Sequence, residues 1–275
     1  MKYTQVGEHE LTYTAVDECG NTTVQTRKVI AYDYATVLFE DGTLIINEHS
    51  TDRASNIALH GDVEKEYTPL DENNGYVFNN SVDRPWHEDI SSILRVKFGS
   101  EVAPTTLQYW FQQCSNLVEI DYTNLVTDGI TSVRAFVSGA GFTTFSLPEM
   151  PNLESIQYVC RGCVNLASVD FSHVNSSKIN MTQDAFQGCS SMTVCNLASL
   201  TGTVTSALRM FADITGENPM SIVTIYADPG LDFSTASGAN MFRSCSHLVG
   251  AIPFNGTTDN TYANVNGYFT DSTQI

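Results

Sequence analysis

The sequence predicts an α/β fold in which about seven units of 24–31 residues stack as a solenoid behind an N-terminal all-β segment. Three observations lead there. Aromatic or sulfur-bearing residues recur at nearly constant intervals through the C-terminal two thirds of the chain. Each is followed, at three-residue steps, by small or apolar side chains. The first hundred residues instead show β-rich alternation broken by turn residues.

Within residues 1–34, a run from Glu10 to Asp17 and another from Thr22 to Tyr32 flank the turn signal Cys19-Gly20-Asn21. Two β-rich runs around such a turn read as a hairpin, and an isolated hairpin is marginally stable, so it is expected to dock on something. In residues 35–100, Thr36–Phe39 and Thr43–Asn47 flank Asp41-Gly42, the strongest short hairpin signal. Pro85 to Ile93 reads as a helix leading into a strand at Leu94 to Phe98. This region is expected to cap the open end of the stack, where apolar core is otherwise exposed.

Residues 101–275 carry the repeat. Phe111 is followed by Cys114, Leu117 and Ile120; Phe136 by Gly139, Phe142 and Phe145; Cys160 by Cys163, Leu166 and Val169; Phe186 by Cys189, Met192 and Cys195. Phe211 leads to Ile214, then to an insertion around Gly216 to Ser221, and resumes at Ile222 and Ile225. Phe242, Cys245, Leu248 and Ala251 form a sixth unit, and Phe269, Ser272 and Ile275 open a seventh. The intervals are 25, 24, 26, 25, 31 and 27 residues. Each unit is expected to hold a short helix, a turn such as Ser115-Asn116 and a strand such as Leu117 to Tyr122.

These units resemble the BspA-like leucine-rich repeats of bacterial surface proteins, most closely at Trp110-Phe111-Gln-Gln-Cys114-Ser-Asn-Leu117-Val-Glu-Ile120-Asp121 and Met241-Phe242-Arg-Ser-Cys245-Ser-His-Leu248. The resemblance implies a leucine-rich-repeat solenoid engaged in adhesion or recognition, and it names no ligand. The pattern Val16-Asp17-x-Cys19-Gly20-Asn21-Thr22-Thr23-x-x-x-Arg27-x-Val29 is similar to the last two strands of bacterial immunoglobulin-like modules. That resemblance implies attachment or oligomerisation through the N-terminal strands.

Charge narrows the partners. With 13 basic against 31 acidic residues the chain carries −18, and its Lys and Arg lie singly along the sequence. Phosphate binding requires clustered cations, so no nucleic-acid partner is expected. Membrane insertion is not expected, because no stretch reaches roughly 18 apolar residues. The N-terminus, MKYTQVGEHE, lacks the apolar run of a secretory signal, which favours a virion location over export to an extracellular or bacterial cell-surface site.

Chemistry finds no anchor. Cys160-x-x-Cys163 is the sharpest metal or redox motif, but Cys114, Cys163, Cys189 and Cys245 share one repeat position and Cys195 a strand position, so they read as small core residues. The His87-Glu88-Asp89 cluster lacks converging ligands, and Asp71-Glu-Asn-Asn-Gly75 lacks a full calcium loop. Ser138-Gly139-Ala-Gly141 falls in a repeat turn rather than after a nucleotide-binding strand. No catalytic, cofactor-binding or metal residue is therefore assigned, and no cofactor is expected. Trp86, Tyr109, Trp110, Tyr122, Tyr158 and Tyr226 are the aromatics weighed as contact residues. Trp86 and Trp110 read as cap and core, while Tyr122 and Tyr226 suit either the sheet face or packing.

The function expected is non-enzymatic recognition or adhesion from a phage virion, directed at protein or glycan on a cell surface. The N-terminal strands would join other virion or surface-structure proteins, or a second copy in a homo-oligomer. A purely architectural decoration or fibre subunit and a fragment of a bacterial adhesin are the alternatives, ahead of a glycan-active enzyme.

Overall fold

The computed structural model describes residues 7–16, 19–31, 36–48, 65–67, 74–99, 101–213 and 219–274. Strands β1 (Gly7–Val16) and β2 (Thr22–Ala31) pair antiparallel as a two-stranded sheet of their own, with Gly7 opposite Ala31 and Val16 opposite Thr22. Asp41 and Gly42, both at positive φ (44° and 72°), turn β3 (Thr36–Glu40) into β4 (Thr43–Glu48), the backbone form that a two-residue hairpin with right-handed twist requires. β5 (Lys65–Tyr67) adds to the outer edge of β3, and Tyr67 donates its hydroxyl hydrogen to Asp89 at 2.9 Å.

From β4 onward the pairing is parallel. β6 (Arg95–Phe98) lies beside β4, and β7 (Glu119–Asp121) beside β6. β8 (Thr144–Ser146), β9 (Ser168–Asp170), β10 (Val194–Leu197), β12 (Thr224–Ala227) and β14 (Thr270–Asp271) form a second parallel sheet in that order. A short parallel pair, β11 (Gly202–Thr203) with β13 (Leu231–Asp232), runs beside it. Bridges Thr106–Ser132, Ser132–Ser155, Ser155–Met181, Met181–Ser206 and Ser206–Ser237 run parallel as a second line of contact between the same coils.

The segment after each bridge is not the expected helix. Among the described residues helical structure is confined to three-residue 3-10 turns, one of which, His87–Asp89, occupies the place of the helix expected over Pro85 to Ile93. The reason is a left-handed residue every fourth position: Tyr109 and Gln113, Ala135 and Gly139, Tyr158 and Gly162, Asp184 and Gly188, Asn240 and Ser244. Each one redirects the chain, so alternate amides point along the stack. Leu107, Tyr109, Phe111 and Gln113 donate to the carbonyls of Ser132, Arg134, Phe136 and Ser138 in the next coil at 2.6–3.0 Å. The amides between them close tight turns, such as Trp110 to Leu107 and Cys114 to Phe111. From Leu107 to Ser115 every backbone amide is satisfied in this way without a helix.

This ladder fixes the unit boundaries and corrects two of them. Val137 donates to Val159, so Val137 is the equivalent of Phe111, while Phe136 takes the place of Trp110 and Ala140 that of Cys114. Phe142 and Phe145 keep their expected positions because Gly141 alone spans the turn that takes Ser115 and Asn116 in the coil before. A Cβ on Gly141 would lie 2.3 Å from the Ser115 carbonyl oxygen. Phe269 opens no seventh unit. It immediately precedes Thr270, which pairs with Tyr226, so Phe269 fills the strand position of the sixth coil. Ala251, expected there, sits instead in an excursion that starts with the antiparallel Val249–Pro253 bridge. Ile214 and the first half of the Gly216–Ser221 insertion, residues 216–218, lie outside the described residues, as does Ile275.

The core is a continuous line of rings. Trp86, Phe111 and Phe136 follow one another at 6.0 and 5.3 Å, and Phe186, Phe211, Phe242 and Phe269 at 5.5, 5.8 and 6.0 Å. Where Val137 and Cys160 occupy the ring position, Phe145 and Phe171 carry the line from Phe136 to Phe186. Each such ring is buried, contributing about 1.5–3 kcal/mol. Tyr268 meets Phe242 edge to face and packs at a tilt on the excursion's Phe254 and Tyr262, closing the C-terminal end.

The opposite end presents carbonyls that no earlier coil reaches with its amides. Arg84, buried, supplies the donors instead: Nη1 reaches the carbonyls of Tyr109, Trp110 and Gln112 at 3.0, 3.2 and 2.7 Å, and the indole of Trp86 donates to Trp110 at 3.0 Å. Arg84→Met should therefore lower unfolding free energy in urea by about 3 kcal/mol, since buried carbonyls lose charged donors. Gly162 sits at φ 74° with open space where a Cβ would go. Gly162→Ala should cost only about 1 kcal/mol of backbone strain, while Gly141→Ala, which meets the Ser115 carbonyl, should cost clearly more in the same titration.

Candidate recognition face

Beyond residue 100 the chain has five basic residues: Arg134, Arg161, Lys178, Arg209 and Arg243. They are far apart in sequence, but the coil length brings three of them to one face. Arg134 occupies the second coil, Arg161 the third and Arg209 the fifth, all in the turn segments that carry the inter-coil ladder. Tyr158 is the hub. The guanidinium carbons of Arg134 and Arg161 lie 5.1 and 5.7 Å from its ring centroid, within cation–π range. Its hydroxyl accepts from Gln183 Nε2 at 2.9 Å.

Neighbouring coils hold these groups in place. Arg134 Nε donates to the Tyr109 hydroxyl at 3.2 Å and its Nη1 to Gln157 Oε1. Arg161 Nε donates to Gln187 Oε1 at 2.8 Å. One coil further, Arg209 grips the fully buried Asp184 through two bonds of 2.8 and 2.9 Å, and those bonds raise the basicity of its guanidinium. Tyr109, Arg134 and Tyr158 are half-buried and Arg161 is exposed. The result is a rigid strip of guanidinium, phenol and carboxamide groups about three coils long.

The sheet offers a second face. Phe145, Val169, Cys195 and Ile225 point inward, while Ser146, Asp170, Asn196 and Tyr226 form an outward row. Among the described residues no pairing joins β7 to β8, and the gap is a cleft of about 180 Å³ lined by residues including Ile120, Tyr122, Phe142, Phe145, Glu119 and Ser146. Tyr122 spans it, donating to the Ser146 carbonyl at 3.3 Å. The shortened turn at Gly141 lies just before β8, on one side of this gap. Asp121 and Asp271 accept from Thr123 and Thr273 at the strand ends, which holds both carboxyls below their usual range.

The motifs singled out by sequence resolve individually. Trp86 and Trp110 are fully buried against one another at 6.2 Å. Ser138 is buried and donates to the Arg161 carbonyl at 2.9 Å, as part of the coil contact. Within His87-Glu88-Asp89, Asp89 is engaged by Tyr67. Asp71 to Asn73 of the calcium motif lie outside the described residues, and Asn74 accepts from the Val77 amide. Among the described residues, no group of three or more His, Cys, Asp or Glu is arranged to hold a metal, and no helix is long and apolar enough to cross a membrane.

Six cysteines are buried and Cys19 is exposed. The thiols of Cys163, Cys189 and Cys245 donate to carbonyls of the preceding coil, at Val137, Cys160 and Phe211, over 3.0–3.3 Å. That position takes a small side chain, and a thiol there adds a weak donor. Burial pushes the Cys114 thiol up to about 12 and those of Cys160, Cys189 and Cys195 well above their ordinary value, so the nucleophilic thiolate is suppressed at these four; the hydrogen bond with Cys160 lowers that of Cys163, which is shielded by its burial. Titration of the folded chain with a thiol reagent should label Cys19 alone, and all seven cysteines should react in denaturant. Rapid native labelling of Cys160 or Cys163 would contradict this packing role. Comparison with protein-family models, curated proteins and solved structures finds no match to the chain.

Proposed function

We propose that this chain is a non-enzymatic recognition protein displayed on a surface, built as a leucine-rich-repeat solenoid of the BspA-like kind. The observation that carries the proposal is the strip around Tyr158. It gathers Arg134, Arg161, Tyr109 and the amides of Gln157 and Gln183 on one rigid face. Arginine and tyrosine are the side chains through which binding faces gain most of their energy. The groups that could serve covalent chemistry are used otherwise: the thiols in coil contacts and Ser138 in the ladder.

In this reading the protein is an accessory of a phage virion, its N-terminal strands attach it, and its coils meet protein or glycan on a cell surface. Many copies on one particle would turn weak single contacts into firm attachment. Incubation of the purified chain with bacterial cell envelopes, and with an array of glycans and surface proteins, should give saturable retention above background. Absence of retention on all of them would overturn recognition and leave an architectural role.

A further inference from the structure

We propose that the Arg134–Tyr158–Arg161 cluster binds the carboxylate of an acidic saccharide, a uronic acid unit within a polysaccharide; this rests on the recognition reading above. In a chain with 31 acidic residues, Arg134 and Arg161 are held beside one phenol ring, and among the described residues neither forms an ion pair with a carboxylate. Their hydrogen-bond partners are the neutral oxygens of Tyr109, Gln157 and Gln187. Two like charges on neighbouring coils repel one another, and Asp184, the carboxylate that Gln183 links to Tyr158, is already clasped by Arg209.

Arg209 shows what this face does when an acid is present. Asp184 takes it in a two-bond clasp. At Arg134 and Arg161 the equivalent anion has to come from outside. The bonds to neighbouring side chains use Nε and Nη1 of Arg134 and Nε of Arg161, so the remaining terminal nitrogens are available to a planar carboxylate. Because glutamine and tyrosine partners already fix both guanidinium groups, little side-chain freedom is lost on binding.

The surroundings select the carrier of that carboxylate. The flanking phenols and carboxamides donate and accept hydrogen bonds, as saccharide hydroxyls demand. Dense polyanions such as nucleic acid or heavily sulfated chains place several charges within a Debye length of about 8 Å, against a protein of −18. A uronic acid unit separated from the next by a neutral sugar meets the two arginines without that penalty.

The test is calorimetric titration of the full chain with oligosaccharides in which glucuronate or galacturonate alternates with a neutral sugar, with the same oligosaccharides after reduction of their carboxyls to alcohols, and with an Asp/Glu decapeptide. Binding is expected for the uronates alone, weakening as salt rises. Arg134→Gln and Arg161→Gln should each weaken it about tenfold or more, the loss of one charged hydrogen-bonding group. Arg243→Gln, an exposed arginine outside the cluster, should leave it unchanged, and circular dichroism melts check that all variants fold. Equal binding of the reduced oligosaccharides, indifference to both substitutions, stronger binding of the decapeptide, or no uronate binding would each overturn the inference. Retention of R134Q/R161Q chain on cell envelopes, equal to that of the unaltered chain, would overturn the inference while leaving recognition standing. Failure of the unaltered chain on every surface is the separate result that removes recognition itself.

Discussion

The constraint on which the rest depends is that the turn segments bond to neighbouring coils through every second amide. That alternation needs a left-handed residue at four-residue intervals, and only some of those places hold glycine; Tyr109, Tyr158 and Asp184 accept the strain, of the order of 1 kcal/mol each. Inter-coil bonds over the whole stack compensate for it. Because the ladder sets the spacing between coils, it also sets which side chains become neighbours. Tyr158 stands in a left-handed position, and its conformation belongs to the same backbone geometry that positions it beside Arg134 and Arg161.

The core shows how the stack tolerates irregular units. At Val137 and Cys160 the ring is missing from its usual place, yet the line of aromatic contacts continues through Phe145 and Phe171, which enter from the strand side. Volume is conserved along the axis rather than within each coil. The cysteine row follows similar logic. Ala140 replaces a thiol in the coil with the shortened turn, next to the one place where two strands fail to pair.

Much of the architecture was legible as interval and polarity. The hairpin at Asp41-Gly42, the strands after Leu117 and Leu166, and the burial of Trp86 and Trp110 follow from turn chemistry and apolar spacing. Three features were not legible, for identifiable reasons. A helix and a chain of left-handed turns bury side chains at similar three- and four-residue steps, so periodicity does not separate them. Phe136 and Val137 are both apolar, and only the hydrogen-bond ladder decides which one is equivalent to Phe111. Phe269 looked like a unit start because strand and turn positions both accept aromatic rings. The candidate face was hidden more deeply, since Arg134 and Arg161 read as isolated charges until coil length makes them neighbours. The signal that could have revealed them is the recurrence of long polar side chains, Arg134 with Gln157 and Arg161 with Gln187, about one unit apart.

The turn ladder also has a direction, because in the turn segments each coil donates amide hydrogens to the coil that follows it, whereas strand-side amides such as those of Ala167 and Thr193 donate back to the coil before. Along the turn side, one end of the stack is therefore a row of acceptors and the other a row of donors, two edges that are complementary to each other across separate molecules. Head-to-tail contacts of that kind do not close, and they propagate into fibres. Seen this way, Arg84 and Trp86 at the acceptor end, with Thr258 receiving the Phe242 amide at the donor end, keep a periodic structure finite. At both of its ends the turn ladder is closed by groups of the same chain.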